Sequence, residues 1–283
     1  MDCNRIRMGR MGYLNVLPIY HALESGMVAN DFAFVSGPPA ELNARMARGE
    51  LDVASVSSIE YARRPQDYYL VPDLAIGSRG PVQSVLLLSR VPIETLGGHT
   101  VLVSAQTHTS AALLRILFTE YLPLDVRYEV GSATGRLEAG EPPTAMLAIG
   151  DEALALRGRE DYSHTWDLGE VWRRWTGLPF IFGVWVVRRG FATEQPEAAR
   201  RACAQLLRAK AWGCARLDDM AALAASRGFL SLAAMRSYFQ GLVYDLRDEQ
   251  VAGLNRFFAL LAATGGIARA PEPLFLDMER PAA

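Results

Sequence analysis

The sequence predicts an α/β protein of two lobes facing each other across a cleft. Three observations carry this reading. Short apolar runs alternate with helical patterns along most of the chain, which is the βα signature of a mostly parallel sheet. The length, 283 residues, suits two domains at roughly 150 residues each. A strand, helix, Gly-Glu, strand, helix-start order occurs twice, from Phe34 to Ala62 and again from Tyr128 to Ala153. Any two βαβ units share much of that pattern, so the repetition has either a duplicated lobe or a common supersecondary unit behind it. As a duplication, it gives each copy its own sheet. The first lobe then covers 1–90 plus 187–283 and is interrupted by a second at 91–186.

The elements follow in order. Arg5 to Met11 reads as a strand, and Val16 to Ser25 as a helix closed by Gly26. Phe32 to Val35 is a strand. Glu41 to Arg48 is a helix with Leu42 and Met46 four apart and Gly49 at its end. Val53 to Val56 is a strand feeding a helix from about Ile59, and Val82 to Ser89 is a longer strand. Thr100 to Ser104, Val126 to Val130 and Ala145 to Ile149 are strands, with helices at Ser110 to Tyr121 and from Glu152. Phe180 to Arg188 is the last long strand and returns the chain to the first lobe; beyond Gln195 the pattern is helical to about Thr264.

Composition excludes several classes of function. With 29 basic and 31 acidic residues the net charge is -2, so no overall field draws the chain to nucleic acid or an anionic membrane. Lys210 is the one lysine. It falls on what reads as the polar side of a surface helix, where Schiff-base chemistry lacks the desolvated pocket it needs. Cys3, Cys203 and Cys214 are odd in number and lack CxxC spacing, which fits a reducing compartment and gives no metal site. No secretory h-region precedes Arg10. The longest apolar run, Leu178 to Val187, is about half a membrane span. The expectation is a soluble, cytoplasmic protein without metal or cofactor. HExxH, GxSxG, Walker and GxGxxG motifs are lacking, so metal-assisted hydrolysis, serine hydrolysis and nucleotide binding want their mechanical parts.

Ligands of such folds bind where strands end and helices begin. Four turns stand out: Gly12-Tyr13-Leu14-Asn15, Ser57-Ser58, Gln106 to Ser110 with Thr107 and Thr109, and Gly150-Asp151. Free amides and the positive end of a helix dipole can hold a carboxylate at such turns without any lysine. Alternatively, Asn15, Ser58, Thr109, Ser110 and Asp151 simply cap their own helices, each contributing about 1 kcal/mol. Ser84 lies inside an apolar strand and cannot be a cap. It is either a buried serine bonded to a nearby carbonyl or, with Gln83, part of the cleft wall. Of the four histidines only His108 falls near such a turn; His164 reads as part of a polar turn. The aromatic stretch Trp172 to Trp185 reads as core and interlobe packing.

Taken together and in order, Gly12-Tyr13-Leu14-Asn15 with Pro18, Ser57-Ser58-Ile59-Glu60-Tyr61, Thr107 with Thr109-Ser110, Gly150-Asp151, and Asp167-Leu168 through Trp172 to Thr176-Gly177-Leu178-Pro179-Phe180 resemble the chorismate dehydratases of the futalosine route to menaquinone. The resemblance covers about residues 5 to 190. It implies a periplasmic-binding-protein type II-like fold, two lobes joined by two crossovers. It also implies dehydration of chorismate to 3-[(1-carboxyvinyl)oxy]benzoate. The sister 1,4-dihydroxy-6-naphthoate synthases open with a Ser-Pro-Cys-Pro-Asn-Asp-like turn that this sequence lacks.

On that resemblance, Gly12, Ser57, Ser58, Thr107, Thr109, Ser110, Gly150 and Asp151 bind the dicarboxylate substrate. Asn15 and Ser84 orient it for reaction. No motif position offers a protein base, since an asparagine cannot take a proton at neutral pH; a substrate carboxylate then serves as base. Asp151 costs affinity for a dianion unless it accepts a bond from a ring hydroxyl. A solute-binding module with the same fold and no chemistry is the alternative from another class.

Overall fold

The computed structural model describes residues 5–105, 107–228 and 230–279; Cys3 and Gln106 lie outside the described residues. The chain opens with β1 (Ile6–Arg10), α1 (Leu17–Glu24), β2 (Phe32–Ser36), α2 (Pro39–Ala47), β3 (Val53–Ser57) and α3 (Ser58–Arg63). It continues through β4 (Tyr68–Ser78), β5 (Val85–Ser89), β6 (Thr100–Val103) and α4 (His108–Ile116). Then come β7 (Arg127–Val130), α5 (Ala133–Glu138), β8 (Ala145–Ile149), α6 (Gly150–Leu156), β9 (His164–Asp167), α7 (Leu168–Thr176) and β10 (Phe180–Arg188). A helical segment closes the chain: α8 (Arg189–Glu194), α9 (Pro196–Cys214), α10 (Leu217–Ala225), α11 (Leu232–Gly241), the short β11 (Leu242–Val243) and α12 (Asp248–Ala263).

Among the described residues these strands form two sheets, ordered β11-β4-β10-β3-β1-β2 and β9-β5-β8-β6-β7. The sheets repeat one plan. In each, the first strand of a βαβ series is flanked by the other two, all parallel: β1 lies between β2 and β3, and β6 between β7 and β8. In each, an antiparallel strand then pairs with the third member, β10 with β3 and β5 with β8. The repeated segments Phe34 to Ala62 and Tyr128 to Ala153 therefore occupy equivalent places in separate sheets.

Sheet membership moves both crossings earlier than the expected limits of 91 and 186. The strand Val85–Ser89 was expected in the first lobe, yet it pairs with β8 and β9 in the second sheet. The strand Phe180–Arg188 pairs with β3 and β4 in the first. The chain crosses between sheets at 79–84 and returns at 177–179. β4 is an element that periodicity does not signal. Pro72 and Asp73 interrupt its apolar run, and Asp73 sits at φ 50°, so alternation breaks where the strand bends against β10. His164 likewise is not in a turn: it begins β9 and pairs with Ser89.

Alternation explains the core of the second sheet. Val85 and Leu87 face the main core, which both sheets share, whereas Leu86 and Leu88 join Leu102, Met146 and Ala148 on the outer face. Trp172 and Trp185 are fully buried; Trp172 meets Phe180 edge to face at 5.1 Å, as the packing reading expected. Lys210 differs from expectation. It is 8% exposed, and its ammonium donates to Asp73 O at 2.6 Å and pairs with Asp245 at 2.5 Å. Asp73, at the bend of β4, and Asp245, after β11, supply these acceptors, so this lysine fastens α9 to β4, away from the cleft.

Candidate functional site

The parallel strands β1, β3, β6 and β8 all end at the cleft between the sheets, and the predicted turns converge there. Its walls carry Tyr13 and Asn15 from the first turn, Ser57 from the second, Thr107 to Ser110 from the third and Gly150 from the fourth, with Ser84 at the crossing. The cavity volume is about 100 Å³, in a cleft open to solvent at its mouth. Met11, Val16, Ile76, Val82, Val85, Ile149 and Phe182 make the rest of the lining largely apolar. Among the described residues no arginine, lysine, aspartate or glutamate lines it, and His108 is its only histidine.

Capping does not account for these side chains. The residues preceding α3, α4 and α6 are Ser57, Thr107 and Ile149, and none makes a side-chain cap bond. Ser58 is fully buried and donates to Ile181 O at 2.6 Å, which pins α3 to β10 and takes Ser58 out of the cleft wall. Thr109 Oγ1 accepts from Ile59 N at 3.1 Å, bridging the two lobes. Thr107 donates to Ser104 O at 2.5 Å.

Two polar atoms in the cleft are buried and unpartnered: Asn15 Oδ1 and Ser57 Oγ. Leaving a buried polar group without a partner costs about 1–3 kcal/mol. Several amides expected to hold a carboxylate are already engaged. Leu14 N donates to Asp151 Oδ1 at 3.2 Å, Gly150 N to Ser84 O at 2.7 Å, and Ile59 N to Thr109. At the start of α4, Thr107, Thr109 and Ser110 are all nearly buried, and Thr107 N is likewise engaged, by Ser104 O at 3.1 Å.

The family model for menaquinone biosynthesis matches residues 6–263. The chain belongs to this family. A chorismate dehydratase of Thermus thermophilus is 30% identical over 266 residues, covering 88% of this chain and 93% of that protein. A 1,4-dihydroxy-6-naphtoate synthase of the same organism is 29% identical over 96% of this chain and 99% of that protein. A crystal structure of a protein from Archaeoglobus fulgidus superposes with a TM-score of 0.72 at 20% identity, over 94% of this chain and all of that one. The aliphatic sulphonate binding protein SsuA of Escherichia coli superposes at 0.66 with 15% identity, over 99% and 96%. These neighbours show a periplasmic-binding-protein-like fold. The family and its named relatives make the chain an enzyme of menaquinone biosynthesis acting on a small molecule. Among the described residues no helix is long and apolar enough to cross a membrane, and no cluster of three His, Cys, Asp or Glu side chains could hold a metal ion.

Within this family member, Gly12 and Asp151 stand at an outer recess shared with Tyr13 and Pro39 rather than in the cleft itself. Burial pushes the Asp151 carboxyl upward, against the Leu14 amide that pulls it down. Tyr13 packs on Gly150, where an added Cβ would come within 3.1 Å of its ring. Burial, with Asp151 and Glu152 nearby, raises the Tyr13 phenol, so it stays neutral.

Sequence reasoning missed two further groups at this site. Phe182 and Gly183 of β10 reach the cleft wall, since the crossing strand belongs to the first sheet. Tyr238 and Tyr244, from the C-terminal segment, donate to Ser84 Oγ at 3.2 Å and to Asn15 O at 3.0 Å. No local pattern links a helix near residue 238 to a strand near 84. Gln83 turns away from the cleft, donating to Ser237 O and accepting from Arg157.

Proposed function

We propose that the chain is a chorismate dehydratase, a carbon-oxygen lyase of the futalosine route that converts chorismate to 3-[(1-carboxyvinyl)oxy]benzoate and water. The observation that carries the reading is the unpartnered Asn15 Oδ1 in a cleft without cations. A buried acceptor calls for a donor, and the ring hydroxyl of chorismate is one. Ser57, Ser84, Ser110 and the start of α4 then receive the carboxylates through hydroxyls and amides.

The reaction removes the proton on the ring carbon bearing the enolpyruvyl ether and expels the neighbouring hydroxyl with its bonding pair. The C–H electrons become part of the aromatic ring, and the proton and hydroxyl leave as water. With no carboxylate or lysine in the lining among the described residues, a substrate carboxylate takes the proton, and holding the substrate in the reactive geometry supplies much of the acceleration. Asn15 orients the departing hydroxyl; Ser84 fixes a carboxylate. The two lobes meet across the cleft, where Thr109 accepts from Ile59 N and Asp151 from Leu14 N.

The near-equal match to the naphthoate synthase supports a second reading, the sister reaction on a later intermediate. Incubation with chorismate alone separates the readings. Growth of the aromatic product's absorbance supports the dehydratase. No binding and no turnover of chorismate supports the synthase, and binding without turnover supports a solute-binding module.

A further inference from the structure

We propose that the C-terminal segment positions the reacting site, with Tyr238 of α11 setting the direction in which Ser84 donates its proton. The inference rests on the dehydratase reading and assigns a role to a part of the chain that the turn motifs do not reach.

Ser84 is 2% exposed and lines the cleft. Its oxygen accepts from Tyr238 OH at 3.2 Å, and its own proton has Val82 O at 3.4 Å as its protein acceptor. That second contact is at the long limit of a hydrogen bond. A serine hydroxyl has a single proton. With Tyr238 occupying a lone pair, the proton is directed between a poor carbonyl contact and the cleft, where a carboxylate makes a shorter, charge-assisted bond.

The neighbouring contacts hold this arrangement rigid. Gln83 sits at φ 63°, an unfavourable region for a side chain of its size. Asp167 accepts from Val82 N at 3.0 Å and Gln83 N at 2.6 Å, and Gln83 Nε2 donates to Ser237 O at 3.1 Å. Adjacent residues of α11 thus hold adjacent residues of the crossing. Burial raises the Tyr238 phenol, which keeps it a donor across the working pH range. Tyr244 holds the Asn15 carbonyl in the same way, through a different cleft residue.

The test is a double-mutant cycle on chorismate turnover, with Tyr238→Phe, Ser84→Ala, the pair, and Tyr244→Phe alone and with Ser84→Ala. Tyr238→Phe lowers kcat/KM about tenfold, mainly through KM, because a carboxylate contact present before and during reaction is uniform binding. In the Ser84→Ala background the same change alters kcat/KM less than about twofold, whereas Tyr244→Phe keeps its full effect there. Removing both members of a buried pair is gentler than orphaning one, so the pair and Ser84→Ala still give this comparison if Tyr238→Phe folds poorly. Full additivity of Tyr238→Phe with Ser84→Ala, or wild-type kinetics for Tyr238→Phe, overturns the inference while the dehydratase reading stands. A wild-type protein inert toward chorismate overturns both.

Discussion

Ile59 donates its backbone N–H to Thr109 Oγ1 at 3.1 Å, so the first turn of one lobe's helix is satisfied by a side chain of the other. Both residues are nearly buried. The bond spans the cleft between the two lobes. Thr109→Val keeps the shape but leaves Ile59 N without an acceptor, at a cost of about 1–3 kcal/mol. We expect a lower unfolding temperature and a raised KM for Thr109→Val and near wild-type behaviour for Thr109→Ser. Equal behaviour of the two variants in thermal melts and steady-state kinetics would show that the bridge does nothing.

Asn15→Ala separates stability from turnover. The side chain contributes an unpartnered buried oxygen to the free protein, so its removal leaves the unfolding temperature unchanged or raises it. Losing one pre-placed polar group at the reacting centre costs on the order of 100-fold in kcat. Calorimetry and turnover on the same sample check both halves; normal activity would remove Asn15 from the reaction.

Gly150→Ala strikes the contact between lobes. Gly150 has φ 57°, and an added methyl carbon approaches the Tyr13 ring to 3.1 Å. Strain of this kind costs about 1–3 kcal/mol, and moving Tyr13 disturbs a cleft wall. Both the melting temperature and kcat/KM should fall.

Far from the cleft, Asp52 binds Arg7 through its backbone N–H and guanidinium at 2.6–3.0 Å and Arg188 at 3.5 Å. Burial alone would raise this carboxyl, but the Arg7 and Arg188 contacts outweigh it and hold it below the usual range. A lowered carboxylate binds fewer protons folded than unfolded. Its contribution is therefore fully present above the unfolded value of about 3.9 and is lost as pH falls through the folded value. Asp52→Asn should cost about 1–3 kcal/mol at neutral pH, discounted from a fully buried pair because Arg7 is half exposed. Denaturant melts should show that deficit shrinking below about pH 4.

Much of this was legible in the sequence, and the rest fails for identifiable reasons. Parallel strands that are short apolar runs, such as β6 and β8, read directly. β4 did not, because Pro72 and Asp73 break its pattern where the strand bends. The turns were legible as places but not as chemistry: Ser58 and Thr109 look like any other cleft hydroxyl until tertiary contacts commit them to Ile181 and Ile59. Lys210 read as surface because its partners, Asp73 and Asp245, lie far away in sequence. Tyr238 and Tyr244 were invisible for the same reason, as contacts across 154 and 229 residues leave no periodicity.

The central claim is that this cleft works by positioning, with the substrate supplying its own base. The most direct measurement is kcat on chorismate from about pH 5 to 9 for the wild-type protein and for His108→Asn, which removes the histidine that lines the cleft among the described residues. A histidine base would titrate inside that window, whereas a substrate carboxylate is already ionised throughout it. The account predicts a flat profile and turnover retained within about tenfold in His108→Asn. A profile that falls on one titration, together with a His108→Asn variant that binds chorismate and does not turn it over, would contradict it.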